Sequence, residues 1–395
     1  MRLGILSQEY PPVTDYHGGI GTQYGRLAPA VASLGHEVHV ITLAPEAGAP
    51  PAELNGVRIH PVQRPRLWPW FELAWARRVD SVLSELGEFD LVISPEFRGE
   101  AFTYSKHQRS GPLVTHLLTS LAQLLSIRPG LPWRERNGVR TRIGLLAERR
   151  QAQRSSGLLA PGGAVLGWAD QLWSLGGLPR ETLPLAIDVS RVRDLSTGPP
   201  PEDFPSESGP IVMLPSRLDG HKGAQHLVAA MHGTWREHPD AQLVFLGRDA
   251  PFGGRMMSEH LREAARDRRS QVHILGFQPD HHYFAALARA DVVAIPSLWE
   301  SYCLAAVEAM ALGRPVIGTT GNGFSEFIES EENGLLVERG SVTELQAGVQ
   351  RLLDDQALRE RLGKAATETA DRHDARELAP RYADVCERLA SGARA

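Results

Sequence analysis

Cysteine is scarce: Cys303 and Cys386 are the only two in 395 residues. Two thiols build neither a disulfide framework nor a zinc site, so both are expected to be reduced, as in a cytoplasmic protein. Long apolar runs are missing too. No stretch approaches the ~18 residues of a membrane span. The N-terminal residues lack the basic start and longer apolar region of a signal peptide, and residues 3–7 read as a strand, so export is not expected. Nor is positive charge in excess. The formal net charge is −5, which makes nucleic acid an unexpected partner. Solenoid-type repeats are absent as well.

What remains is a globular composition, 42% apolar and 23% charged. The length exceeds one ordinary core and points to two domains. Residues 191–210 are rich in Pro and Ser and lack periodicity, which reads as a linker. The expected division is residues 1–190, a linker over 191–210, residues 211–370, and a C-terminal helix over 371–395 returning toward the first domain. Short apolar runs alternate with helical patterns in both halves. The fold class is therefore α/β, with two Rossmann-like, doubly wound parallel sheets.

The most informative stretch is residues 296–316, PSLWESYCLAAVEAMALGRPV. An apolar run ends at Pro296. Leu304, Val307 and Ala311 recur at helical spacing, and Gly313 and Pro315 close the helix. Strand, loop, helix and strand thus carry two carboxylates, Glu300 in the loop and Glu308 in the helix. The amides of Ser301, Tyr302, Cys303 and Leu304 lie at a helix N-terminus, where an anion is favoured. Carboxylates would repel a phosphate, so they suit neutral hydroxyl groups. A nucleotide sugar offers both.

Other segments are individually weaker. Arg217 and Lys222 flank a turn after the apolar run 211–214, and read either as a diphosphate clamp or as two surface cations. Gly247 and Gly276 follow further strands and would let backbone approach a ligand. Near the N-terminus, HGGIGT (residues 17–22) separates a strand from a helix, and Gly18 and Gly19 form either a plain turn or a ligand-facing loop. Pro29 predicts a kink or a late start for that helix. His116 ends a buried-type strand, where open α/β sheets bind ligands. Residues 128–154 are basic, and Trp68, Trp70 and Trp75 lie upstream among Arg64, Arg66, Arg77 and Arg78. These segments read either as a solvated helix face beside core tryptophans or as a surface for an anionic acceptor or lipid headgroups.

Taken in order, strand–R-x4-K-G, LG-x-D, LGF, PS-x2-E, E-x7-E, EAMA-x-G-x-PV and NGLLV make the chain resemble the family 4 retaining glycosyltransferases, which have the two-domain GT-B fold. The GGIGT loop, GHEVHVIT (residues 35–42) and Ile187–Asp188 fit as well. The resemblance implies transfer of a hexosyl group from a nucleoside-diphosphate sugar of UDP or GDP type to a small-molecule or lipid-linked acceptor. It implies a front-face mechanism, with the two domains facing a central cleft. Glu308 is expected to hold the ribose hydroxyls and Glu300 a hydroxyl of the transferred sugar. Arg217 and Lys222 are expected to neutralise the diphosphate, and the amides of Ser301–Leu304 to support it and the sugar. Gly19 is expected near the diphosphate, Phe277 near the base through its backbone, and His116 near the reacting carbon on the acceptor side. No cofactor or metal is expected, since the two cations do that work and no Asp-x-Asp occurs. The expected location is cytoplasmic, with the inner membrane face as a further address. The base, the sugar, the acceptor and the oligomeric state stay open.

The sequence departs from the family pattern at two places. Glu-Gly-Phe-Gly becomes Glu300-Ser301-Tyr302-Cys303, and a glycine-rich turn becomes GRDA at residues 247–250, which leaves any role for Gly247 open. Cys303 is not expected to act as a nucleophile, having no evident base partner. Two other readings accompany the leading one: a sugar-nucleotide epimerase on the same architecture, and a non-catalytic nucleotide-sugar-binding partner protein.

Overall fold

A computed structural model describes residues 1–11, 13–14, 18–66, 70–127, 136–205 and 209–394. The chain divides into two compact units, Met1–Ala186 with Ala375–Ala395, and Ile187–Asp374.

The first unit is built on eight strands: β1 (Arg2–Leu6), β2 (Glu37–Leu43), β3 (Glu53–Leu54), β4 (Val57–Val62), β5 (Leu91–Pro95), β6 (Leu113–His116), β7 (Gly157–Ala160) and β8 (Arg180–Thr182). Their order is β3-β4-β2-β1-β5-β6-β7-β8. Only β3 runs antiparallel, as a two-residue edge strand. The central strands are apolar on both faces because helices cover both, as in parallel sheets generally. Leu6, Ile41, Trp75, Val79 and Phe89 make one core beneath the helix Phe71–Leu86. Leu117, Leu158, Val165 and Trp173 make another.

The helix Gly19–Ala32 begins directly after Gly18. The late start suggested by Pro29 does not occur, because the proline falls in the last turn. The C-terminal helix Ala375–Arg394 belongs to the first unit and packs on Gly19–Ala32. Its buried Leu378, Tyr382, Val385 and Leu389 recur at helical spacing.

The second unit holds β9 (Ile211–Leu214), β10 (Gln242–Phe245), the short hairpin β11 (Pro251–Phe252) and β12 (Arg255–Met256), β13 (Val272–Ile274), β14 (Val292–Ala294), β15 (Val316–Thr319) and β16 (Leu335–Val337). The main sheet is parallel throughout, in the order β13-β10-β9-β14-β15-β16. Connections run outward in one direction from β9 and in the other from β14, so the topological switch point lies between them.

The region expected to be an aperiodic linker opens with a helix, Val189–Ser196. Asp188 caps it, accepting from the Arg191 amide at 2.9 Å. Eight residues are too few to display a period. The helix is held by packing on Asp280–Leu287 and by the Arg191–Asp280 ion pair at 2.9 Å. Where the chain passes between units, Ile187 bridges to Asp374. The Asp374 carboxylate accepts from the Val189 amide at 3.0 Å.

Candidate active site

The switch point of the second sheet gathers the charged residues singled out in the sequence. Lys222 follows β9 and Glu300 follows β14. The Lys222 ammonium donates to Glu300 Oε1 at 2.6 Å, and the Ser297 hydroxyl donates to the same oxygen at 2.7 Å. Arg217 pairs with Asp219 at 3.0 Å. The helix Leu304–Ala311 carries Glu308, whose Oε2 accepts from the Tyr283 hydroxyl at 3.2 Å. Both glutamates are 7% exposed. The two cations expected at a diphosphate are therefore each matched by a carboxylate.

Backbone contacts lock the loops of β9 and β14 together. The Leu298 amide donates to the His221 carbonyl at 2.7 Å. Gly223, at φ +76°, lies so close to Pro296 that a Cβ would sit 2.1 Å from its carbonyl oxygen. Gly247 supports Arg217 in the same way. At φ +155° its backbone abuts the neighbouring turn, and a Cβ would come within 2.1 Å of the Ser216 oxygen and 2.8 Å of the Arg217 nitrogen. This gives Gly247 a packing reason that the departure from the family turn had left open. Ser301 and Tyr302 continue the loop, with Tyr302 buried. Cys303 caps the helix at φ +93°, a left-handed conformation that glycine adopts without strain and cysteine does not. Burial and the nearby Glu300 push its thiol well above the usual range, which disfavours the thiolate.

Phe277 is 64% exposed, with the Arg248 guanidinium 4.7 Å above its ring. That pair presents a flat, cationic surface beyond β13.

In the first unit, Gly19 opens the helix Gly19–Ala32, and among the described residues nothing lies within 4 Å of where its side chain would be. The amides of Gly18 and Gly21 donate to Glu9 Oε2 at 2.6 and 3.4 Å. His17 lies outside the described residues. His116 is the last residue of β6 and fully buried. Its Nδ1 meets the Tyr24 hydroxyl at 3.2 Å, and its Nε2 has no hydrogen-bond partner among the described residues. Burial lowers its pKa to about 3, so the imidazole is neutral.

The sequence reading missed a set of buried acids around this strand end. Glu96 accepts the Leu118 amide at 2.8 Å, and burial raises its pKa to about 8. Glu100 accepts the Gln8 amide at 2.8 Å and is raised well above the usual carboxylate range by burial. Glu148 accepts the amides of Arg98 and Leu121 at 2.8 and 2.6 Å, and burial raises it to about 7. In the sequence Glu148 stands as an acid within the basic run 128–154. Tyr24 and Tyr283 were hidden differently, since both lie within helices among apolar residues and only their hydroxyls carry polar roles.

The two basic segments meet through Glu72, whose Oε1 accepts from Arg98 at 3.2 Å and Arg140 at 2.7 Å. Of the tryptophans, Trp75 is core and Trp70 is exposed. Trp68, Arg128 and Arg134 lie outside the described residues. No described helix is long and apolar enough to cross a membrane.

Two units built on largely parallel sheets, the second with charged groups at its switch point, fit the GT-B class, and comparison with known proteins agrees. The family described as "Glycosyl transferases group 1" matches residues 201–369, and "Glycosyl transferase 4-like domain" matches residues 18–180. A phosphatidyl-myo-inositol mannosyltransferase of Mycobacterium leprae is 26% identical over 99% of this chain and 98% of its own. Sucrose-phosphate synthase from Thermosynechococcus elongatus superposes with a TM-score of 0.79 at 20% identity, covering 99% of each chain. Anabaena HepE, in complex with UDP-glucose, superposes with a TM-score of 0.70 at 21% identity, covering 98% of this chain and 99% of its own. The chain belongs to the family 4 glycosyltransferases. It is a glycosyltransferase enzyme that works on a nucleotide-sugar basis.

Proposed function

We propose that the enzyme transfers a hexosyl group with retention from a UDP- or GDP-type sugar to a small-molecule or lipid-linked acceptor. The observation that carries this reading is the joining of Lys222 and Glu300 at the switch point, with Arg217 and Glu308 on the adjoining turn and helix. On donor binding, Lys222 and Arg217 exchange their carboxylate partners for the diphosphate. Glu300 turns to a sugar hydroxyl, and Glu308 takes the ribose. The bond from the anomeric carbon to the phosphate oxygen then breaks as the acceptor oxygen adds from the same face. The departing phosphate oxygen takes the acceptor's proton. Cations and amides stabilise the charge that develops there, each donor being worth roughly 3–4 kcal/mol in such sites. The amides of residues 301–304 and Gly19, the backbone at Phe277, and His116 complete the set.

Calorimetric titration with UDP, GDP, ADP and TDP identifies the base. Incubation with labelled donor then distinguishes transfer from epimerisation and from binding alone. Turnover unchanged in both Glu308→Ala and Arg217→Ala would refute the reading. Because the cations neutralise the leaving group, EDTA is expected to leave turnover intact; loss restored by a divalent ion would overturn that part.

The acceptor side includes a candidate membrane contact. On the helix Val139–Arg154 the only acid, Glu148, points inward. Val139, Arg142, Leu146, Arg149 and Arg150 are exposed at spacings that share one face. Apolar and basic side chains on one face suit anionic headgroups. Flotation with phosphatidylglycerol vesicles is expected to carry the protein, and reversing Arg142, Arg149 and Arg150 to Glu to abolish it. Equal flotation of both forms would remove this contact.

A further inference from the structure

The arrangement around His116 determines which of its nitrogens carries the proton. Tyr24 projects from the helix Gly19–Ala32, and its hydroxyl is 3.2 Å from His116 Nδ1. That nitrogen is the hydroxyl's only hydrogen-bond partner among the described residues. A buried O–H must donate somewhere, or a hydrogen bond is lost at a cost of ~1–3 kcal/mol. If Nδ1 held the proton, the phenol O–H would have no acceptor. If the phenol donates to Nδ1, the proton lies on Nε2.

The surroundings keep both groups neutral. Burial, together with Glu100, Glu96 and Cys386, holds the Tyr24 hydroxyl far from ionisation. Burial alone disfavours the imidazolium. The ring is fixed edge-on to Tyr24, with centroids 5.8 Å apart and planes at 70°. His116 Nε2 is then a buried donor with nothing to donate to among the described residues. A buried polar group left without a protein partner calls for one, and a substrate oxygen is one that a group at a strand's ligand-binding end can meet.

We propose that Tyr24 is a positioning residue that holds His116 in its Nε2–H tautomer, so that His116 serves the transfer as a neutral hydrogen-bond donor to a substrate oxygen and not as a base. This deepens the function proposed above and rests on His116 taking part in the transfer. It excludes proton abstraction by this histidine, and leaves the acceptor's proton to the departing phosphate.

The test combines spectroscopy with a double-mutant cycle. Nitrogen-15 imidazole shifts of the full-length protein are expected to show protonated Nε2 and unprotonated Nδ1 for His116, and a mixture of tautomers in Tyr24→Phe. Turnover is followed as hydrolysis of UDP-glucose and of GDP-mannose in parallel. Tyr24→Phe is expected to lower kcat on the order of tenfold with little change in KM, as for an interaction strengthened in the transition state. His116→Gln, whose amide N–H reaches about as far as Nε2, is expected to keep more activity than His116→Asn. In the His116→Gln background, Tyr24→Phe is expected to have no further effect. A proton on Nδ1 in the wild type, or an equal Tyr24→Phe loss in both backgrounds, overturns the inference. If the tautomer is as stated but turnover is unchanged in both His116→Ala and Tyr24→Phe, the placement of His116 at the reaction fails, and the positioning role fails with it.

Discussion

Lys222 and Glu300 neutralise each other at 2.6 Å, with side chains only 16% and 8% exposed. Removing one partner from such a pair strands the other. Lys222→Met is therefore expected to destabilise the second unit by about 3 kcal/mol and to lower turnover by roughly 10²–10³-fold. Denaturant unfolding and donor hydrolysis would read the two effects separately. A variant with intact stability and lost turnover would show that the pair matters only to catalysis. Titration of the first unit is set by groups that burial keeps neutral. His60, with a pKa lowered to about 4, and His116, at about 3, bind protons more readily unfolded. Their stabilising contribution is present above pH ~6.5 and is lost as the pH falls toward those values. Glu96 at about 8 and Glu148 at about 7 act oppositely. Their contribution is complete below pH ~4.3 and is lost as the pH rises through 7 to 8. Stability of the first unit is thus expected to peak between these limits. Chemical unfolding from pH 4 to 9 (a range set by these values) would test it; a flat profile would contradict the assignments.

Among the elements, the turn at Lys222–Gly223 connects sequence to site most directly. Gly223→Ala adds a methyl where Pro296 leaves no room, at a φ that disfavours any side chain. The expected result is a loss of about 1–3 kcal/mol, as for overpacked cores, with weaker donor binding because the Lys222 and Glu300 loops part. Unchanged nucleotide affinity in a folded Gly223→Ala protein would contradict this. The same elements show how much of the molecule could be read in advance. β9 at the apolar run 211–214 and the C-terminal helix Ala375–Arg394 fall where they were expected, because burial on one face or two leaves a period in the sequence. Ser341, three residues before Glu344, caps the helix Val342–Asp354, accepting from the Glu344 amide at 3.2 Å. Yet Glu344 reaches back to the Glu338 amide at 2.8 Å, which is not the amide of a standard box. Leu183 and Leu185, apolar in the sequence, are buried just beyond the end of β8. The charged residues of the second unit were legible because a run of short motifs kept its order. The acids and the tyrosine around His116 were not. Their function depends on which distant backbone amides and ring nitrogens they meet, such as Gln8 for Glu100 and Leu118 for Glu96. Periodicity carries no trace of such pairings.

On the scale of the whole molecule, the first unit is discontinuous, and its last helix comes from the far end of the chain. Truncation after Asp374 is expected to loosen the first unit and spare the second. Hydrogen exchange would show lost protection in Gly19–Ala32 and retained protection in β9, β14 and β15. Protection lost equally from both units would show that they unfold together. The Tyr24–His116 contact would be among the first casualties, since Tyr24 packs beside Tyr382 and Cys386 of that helix.

On the ribosome, this arrangement inverts the usual sequence of events, in which the N-terminal domain folds first. The contiguous second unit has everything it needs once Asp374 has left the exit tunnel, whereas the unit begun earlier must wait, one face bare, for Ala375–Arg394 to follow. A nascent chain stalled before Ala375–Arg394 emerges would therefore hold a finished second unit together with a first unit that chaperones would still recognise as incomplete.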